Sequence, residues 1–217
     1  MMILAVDTAL GACSVALLDD DRILAHRFVT MERGHAEALA PMVQETMGVA
    51  GISFARIDRL AVTTGPGTFT GQRVGLAFMR GLRVALKRPL IGVTTLAAMA
   101  AQAVAETGAA RAVALHDARR DEVYVEIGGE PEVMLFRQAA ERLAALPDDG
   151  TIALAGTAAE RMADALKDSR LDIVLSHVRQ PDALWVARIA RQAEATDGPV
   201  RPLYLRAPDA KLPAAPA

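Results

Sequence analysis

Apolar positions along the chain fall into short blocks first and helical stripes afterwards. Residues 3–8 form an apolar block closed by Asp7 and Thr8, and residues 12–18 form a second that alternates around Ser14. Residues 22–29 make a third. The connectors Leu10-Gly11 and Asp19-Asp20-Asp21 are short and rich in turn formers, so the three blocks predict an antiparallel meander. Over 35–47 the period changes: Leu39, Met42, Val43 and Met47 share one face at helical spacing, with Pro41 inside or near the first turns. Then come a strand at 60–64, a helix at 70–86, a strand at 90–93 and a helix at 95–106. The order is βββαβαβα. Beyond Gly108 the pattern predicts strands at 112–115, 122–127 and 152–154, and helices at 137–146, 158–166 and 185–195. Gly108 therefore separates two expected domains, 1–107 and 108–217, and the prolines from Pro199 onward predict a frayed end over 211–217.

Composition narrows the reading. The chain has 217 residues, of which 52% are hydrophobic but only 4% aromatic, so a large core built on Ala, Leu and Val is expected. A net charge of -2 gives no general attraction to a phosphate backbone. The single cysteine, Cys13, excludes an internal disulfide and reads as a small buried hydrophobe. No basic leader precedes the first block, and no apolar run approaches a membrane span. A cytoplasmic protein without membrane association is expected.

Candidate chemistry centres on Gly65-Pro66-Gly67-Thr68-Phe69-Thr70-Gly71-Gln72-Arg73-Val74-Gly75, between a strand and a helix. Such a turn can aim backbone N–H groups at an anion, which makes Asp7, Thr8, Gly65, Gly67 and Thr68 phosphate or nucleotide candidates. The glycine spacing is not that of a dinucleotide fold, and the lysine of a P-loop is missing. The alternative is close packing: Gly71 and Gly75 lie four apart on one helix face, where another backbone can approach. Asp7 could organise a magnesium ion or cap its own turn, and no convincing second acid accompanies it. His116-Asp117 with Ser14 makes a poor hydrolase triad, since nothing brings the three together. Arg119, Arg120, Asp121 and Glu122 read as a mixed-charge hairpin tip.

The element order resembles the ribonuclease H-like half of the actin, sugar-kinase and heat-shock ATPase superfamily, with a second, shortened half behind it. More specifically, the glycine segment, together with Ile3-Leu4-Ala5-Val6-Asp7-Thr8, Gly34-His35-Ala36-Glu37, Asp117-Ala118-Arg119-Arg120-Asp121-Glu122-Val123-Tyr124 and Pro202-Leu203-Tyr204-Leu205-Arg206, resembles the TsaB (YeaZ) family of tRNA threonylcarbamoyladenosine biosynthesis proteins. The likeness runs over nearly the full length. It implies a non-catalytic subunit that pairs with the catalytic paralogue TsaD and recruits the ATPase TsaE. It also implies a homodimer in isolation, and tRNA contact only through the complex. No cofactor is then expected on this chain alone, ATP and metal belonging to the partner subunits. TsaD-type enzymes carry two metal-binding histidines where this chain has Thr95 and Met99, which are poor ligands for such an ion. The implied docking surface comprises His35, Leu39, Met42 and Met47 on the first helix and Gly71, Val74, Gly75, Phe78, Met79 and Leu82 on the second. The competing reading is a small ATP-dependent kinase or ATPase of the same superfamily.

Overall fold

The computed structural model describes residues 1–194 and 198–206, so the expectations for Ala195 and for 211–217 lie outside the described residues. Its first sheet contains β1 (Met2–Asp7), β2 (Ala12–Asp19), β3 (Arg22–Thr30), β4 (Arg59–Gly65) and β5 (Leu90–Thr94), in the order β3-β2-β1-β4-β5. The meander β1–β2–β3 is antiparallel, while β4 and β5 add in parallel after α1 (His35–Ala50) and α2 (Phe69–Leu86). A parallel neighbour needs a crossover, and the helices supply it.

The second sheet repeats this plan. Its strands are β6 (Arg111–Asp117), β7 (Glu122–Val125), β8 (Glu132–Leu135), β9 (Ile152–Ala155) and β10 (Ile173–Leu175), in the order β10-β9-β6-β7-β8. With α4 (Phe136–Ala144) and α5 (Ala159–Ala165), the βββαβα frame is complete. The second half is thus shortened in its strands and intact in its topology.

Period-two alternation sorts each strand between two cores. Leu4, Val6, Val15, Leu17, Leu60 and Val62 face α1 and α2. Their neighbours Ile3, Ala5, Ala16 and Ala61 face the opposite side, where α6 (Ala183–Gln192) packs through Ala183, Val186, Ala187 and Ala190. In the second sheet Leu115, Ile152 and Leu154 face α4 and α5. Ala114, Ala153 and Ala155 face α3 (Thr95–Thr107) through Leu96, Met99 and Ala103. Each half therefore lends its last helix to the space between the sheets. Alanine-rich inner faces permit that close approach.

This exchange corrects the division at 107/108. Residues 183–193 return to the first sheet, because α6 has its apolar partners there. Polar bonds fix it in place. The Ser14 hydroxyl accepts the Ala183 N–H at 2.9 Å, and Asp182 caps the helix while bonding His26 at 2.7 Å. The Arg59 guanidinium donates to the Ala190 and Ala193 carbonyls at the other end of α6.

Candidate functional site

The glycine segment sits where β4 hands over to α2, next to the β1–β2 turn. Thr68 caps α2 by accepting the Gly71 N–H at 3.0 Å. Its own N–H donates to the Ala9 carbonyl at 2.8 Å. The Thr8 hydroxyl donates to the Gly71 carbonyl at 2.7 Å and accepts the Gly75 N–H at 3.0 Å. A Cβ on Gly67 would overlap the Ala9 carbonyl oxygen, and one on Gly71 would overlap that of Thr8. At the start of α2 the Thr68 N–H is thus taken by a carbonyl and the Gly71 N–H by a hydroxyl of the same chain.

Asp7 lies at the same junction, fully buried. One carboxylate oxygen accepts the Thr63 hydroxyl at 2.5 Å and the Ala9 N–H at 3.2 Å, and the other has no partner. Burial pushes its pKa up to about 7 against the two hydrogen bonds, with the Asp182 charge adding to the rise. Among the described residues no three His, Cys, Asp or Glu gather around a metal-sized space. Asp7, Thr8, Gly65, Gly67 and Thr68 are brought together: Asp7, Thr8 and Gly65 are buried, while Gly67 and Thr68 line the cleft between the lobes. Cys13 is also internal, its thiol pushed up to about 11 by burial.

The docking candidates divide. Leu39, Met42, Met47 and Met79 belong to the chain's own core. Gly71 and Gly75 are buried against Thr8, so the face of minimal volume looks inward rather than toward a partner. His35 is half-buried, with Nε2 3.0 Å from the Leu10 carbonyl. Val74, Phe78 and Leu82 are half-buried and reach the surface between α1 and α2. What that surface exposes is different: Val49 and Val84 are 73% and 78% exposed, and Gly48 and Gly81 have open space where a side chain would stand. The spacing signal was sound for close approach but silent on which side the approach comes from.

Between the lobes lies a cleft of about 720 Å³, with Gln72, Arg73, His116 and Arg119 among its lining residues. Gln72 is 2% exposed and its Nε2 donates to the Gly67 carbonyl, while Oε1 is unpartnered. His116 has an unpartnered Nδ1, and burial lowers its pKa to about 4. Arg119, Arg120 and Asp121 all have positive φ at the exposed β6–β7 tip, and Arg119 lines the edge of the cleft. A strap over 200–206 crosses the cleft mouth. The Leu203 N–H donates to the Thr64 carbonyl, Arg80 donates to the Val200 carbonyl, and Arg206 donates to the Ala118 carbonyl and the Glu122 carboxylate. The strap packs closely on β5, where a Cβ on Gly92 would lie 2.7 Å from Val200 Cγ1.

Two similar halves, exchanged inner helices and an inter-lobe cleft define a two-lobed α/β class. Component A of the (R)-2-hydroxyglutaryl-CoA dehydratase of Acidaminococcus fermentans shares this fold, with a TM-score of 0.51 over 88% of this chain and 98% of that one at 13% identity. Within the class the match is much closer. The family model for tRNA N6-adenosine threonylcarbamoyltransferase (TsaD) matches residues 23–176. The tRNA threonylcarbamoyladenosine biosynthesis protein TsaB of Escherichia coli is 37% identical, covering 95% of each chain. The structure of YeaZ from Pseudomonas aeruginosa superposes with a TM-score of 0.77 at 33% identity, covering 94% of this chain and 99% of that one. The chain belongs to the TsaB (YeaZ) family of tRNA threonylcarbamoyladenosine biosynthesis proteins.

Proposed function

We propose that this chain is a non-catalytic subunit of the threonylcarbamoyl transfer machinery in the cytoplasm. It pairs with a TsaD-type catalytic paralogue, helps recruit a TsaE-type ATPase, and forms a homodimer through the same surface when the paralogue is absent. ATP and metal belong to those partners, and the tRNA substrate is met within the assembled complex. One observation carries the reading: at the start of α2 the Thr68 N–H is bonded to the Ala9 carbonyl and the Gly71 N–H to the Thr68 hydroxyl, so two of the donors an anion would use are already taken. Two more support it. At the positions of the metal-binding histidines of TsaD-type enzymes, Thr95 donates to the Pro66 carbonyl at 2.7 Å and Met99 fills the core between α3 and the second sheet. Both side chains serve the fold.

For docking, the outward strip on α1 and α2 is the best surface. It combines the exposed Val49 and Val84 with small residues at Gly48 and Gly81. Small residues let a partner helix approach, and the valines supply apolar area around them. Reconstitution tests the role. Threonylcarbamoyl transfer to tRNA by the TsaD-type and TsaE-type partners is expected to fall at least tenfold when this chain is left out. The chain alone is expected to turn over neither ATP nor the transfer reaction with magnesium, zinc or iron present. Turnover by the isolated chain that survives repurification and scales with its concentration would contradict the proposal.

A further inference from the structure

The net charge of -2 hides a strong segregation. Between Asp58 and Glu106 the sequence contains six basic residues, Arg59, Arg73, Arg80, Arg83, Lys87 and Arg88, and no acid. Arg59 is spent internally on the end of α6. Arg73, Arg80 and Lys87 recur every seven residues along α2 and its cap, with Arg83 beside them. At that repeat they share one side of the helix, distinct from the strip that carries Gly81. The ridge runs over about 21 Å, taking fourteen residues at ~1.5 Å each.

None of these four cations pairs with a carboxylate among the described residues. Arg80 donates to the Val200 carbonyl, and Arg73 donates to the Tyr204 hydroxyl at 2.8 Å. Arg83 and Lys87 have neither an ion pair nor a side-chain hydrogen bond there. At the cleft end of the ridge stands an aromatic pair. Phe69 and Tyr204 stack with ring centroids 5.7 Å apart, yet they remain 50% and 44% exposed. The Arg73 guanidinium lies 3.4 Å from the Phe69 ring centroid. A row of uncompensated cations ending at exposed stacked rings is the chemistry that takes a nucleic-acid strand, phosphates along the row and a base on the rings. The charge argument and the aromatic argument rest on different residues and meet at Arg73.

We infer that the cationic side of α2, with Phe69 and Tyr204 at its cleft end, is a contact surface for single-stranded RNA. The inference goes beyond partner docking; the row of cations borders the docking strip at Val84, which lies four residues from Arg80 and three from Lys87. It rests on the proposed role only for the identity of the RNA as substrate.

The test is fluorescence anisotropy with a labelled single-stranded RNA 12-mer and the full chain, titrated across ionic strength. The wild-type chain is expected to bind saturably at low salt, with a log–log salt slope of about −2 to −3 for four phosphate contacts. Arg83→Glu with Lys87→Glu, which breaks no internal bond, is expected to weaken binding at least tenfold and flatten the slope by about 1 to 2. Arg137→Glu with Lys167→Glu makes the same charge change on the other lobe and is expected to alter affinity less than threefold. Phe69→Ala is expected to weaken RNA binding without changing the slope. Absence of saturable binding by the wild type, equal losses in both double variants, or equal affinity for polyglutamate would overturn the inference. Size-exclusion chromatography of the same variants with the TsaD-type paralogue reads the other proposal independently: pairing should survive Arg83→Glu with Lys87→Glu.

Discussion

Gly75→Arg is expected to unfold the chain rather than to leave a folded monomer unable to pair. Gly75 is buried under the β1–β2 turn, where an added Cβ would lie 2.7 Å from Thr8 Oγ1 and 3.4 Å from Val62 Cγ2. Its N–H is also one of the two bonds that hold the Thr8 hydroxyl. An arginine would have to displace that turn and bury an unpaired guanidinium beside β4, a combination that costs about 4 kcal/mol or more. Against a typical stability of ~5–15 kcal/mol, a loss of that size removes most of the margin of a domain near the lower end of the range, and anything larger unfolds it. Urea denaturation followed by circular dichroism reads it out. A cooperative transition with a midpoint close to the parent's would mean that Gly75 does not face Thr8.

The second large effect is a dependence of stability on pH traceable to one carboxyl group. Burial raises Asp7 in the folded chain to about 7 from an ordinary 3.8. The native state then holds a proton that the unfolded state releases between those values. Its stabilising contribution is complete below about 4 and is lost as the pH rises through about 7, on the order of 2–4 kcal/mol in all. His116 acts in the opposite sense, because burial lowers it to about 4 from 6.5. Its contribution is present above 6.5 and fades as the pH falls toward 4. The two overlap below 6.5 and partly cancel in the parent, so the comparison with Asp7→Asn isolates the carboxyl. The amide oxygen can still accept from Thr63 and Ala9, and no charge is buried. Asp7→Asn is expected to gain at least ~1 kcal/mol relative to the parent between pH 5 and pH 8. Parallel profiles for the two proteins over that range would place the titrating group elsewhere.

How much of this was legible in the sequence depends on what each signal measures. Continuous apolar blocks located β1, β2, β4, β6 and β9, because those strands are buried on both sides, alternate residues facing different cores. The alternation weakens in β8 and β10, which lie at the two edges of their sheet with part of their residues exposed, and both escaped detection. Helix α6 was visible as a helix. Its destination was not, since an alanine face matches any closely packed sheet and the bonds from Ser14, His26 and Arg59 are long-range. Gly71 and Gly75 correctly announced a close approach, and only the coordinates show Thr8 as the group that approaches. Methionines at helical spacing carried no information on whether they face core or partner; Met42, Met47 and Met79 face the core. Net charge misled by averaging, for the acid-free stretch between Asp58 and Glu106 could be read directly from the residues.

On the proposed role, the catalytic paralogue docks on the outward strip of α1 and α2. Gly81 reports on that strip alone: it is exposed, and an added side chain meets nothing within 4 Å in the isolated chain. The decisive measurement is isothermal titration calorimetry of Gly81→Arg against the TsaD-type paralogue, alongside the parent chain. A denaturation midpoint no lower than the parent's and an affinity at least a hundredfold weaker, about 2.7 kcal/mol of binding free energy, are expected. Parent-like affinity in the folded Gly81→Arg protein would contradict docking on this strip.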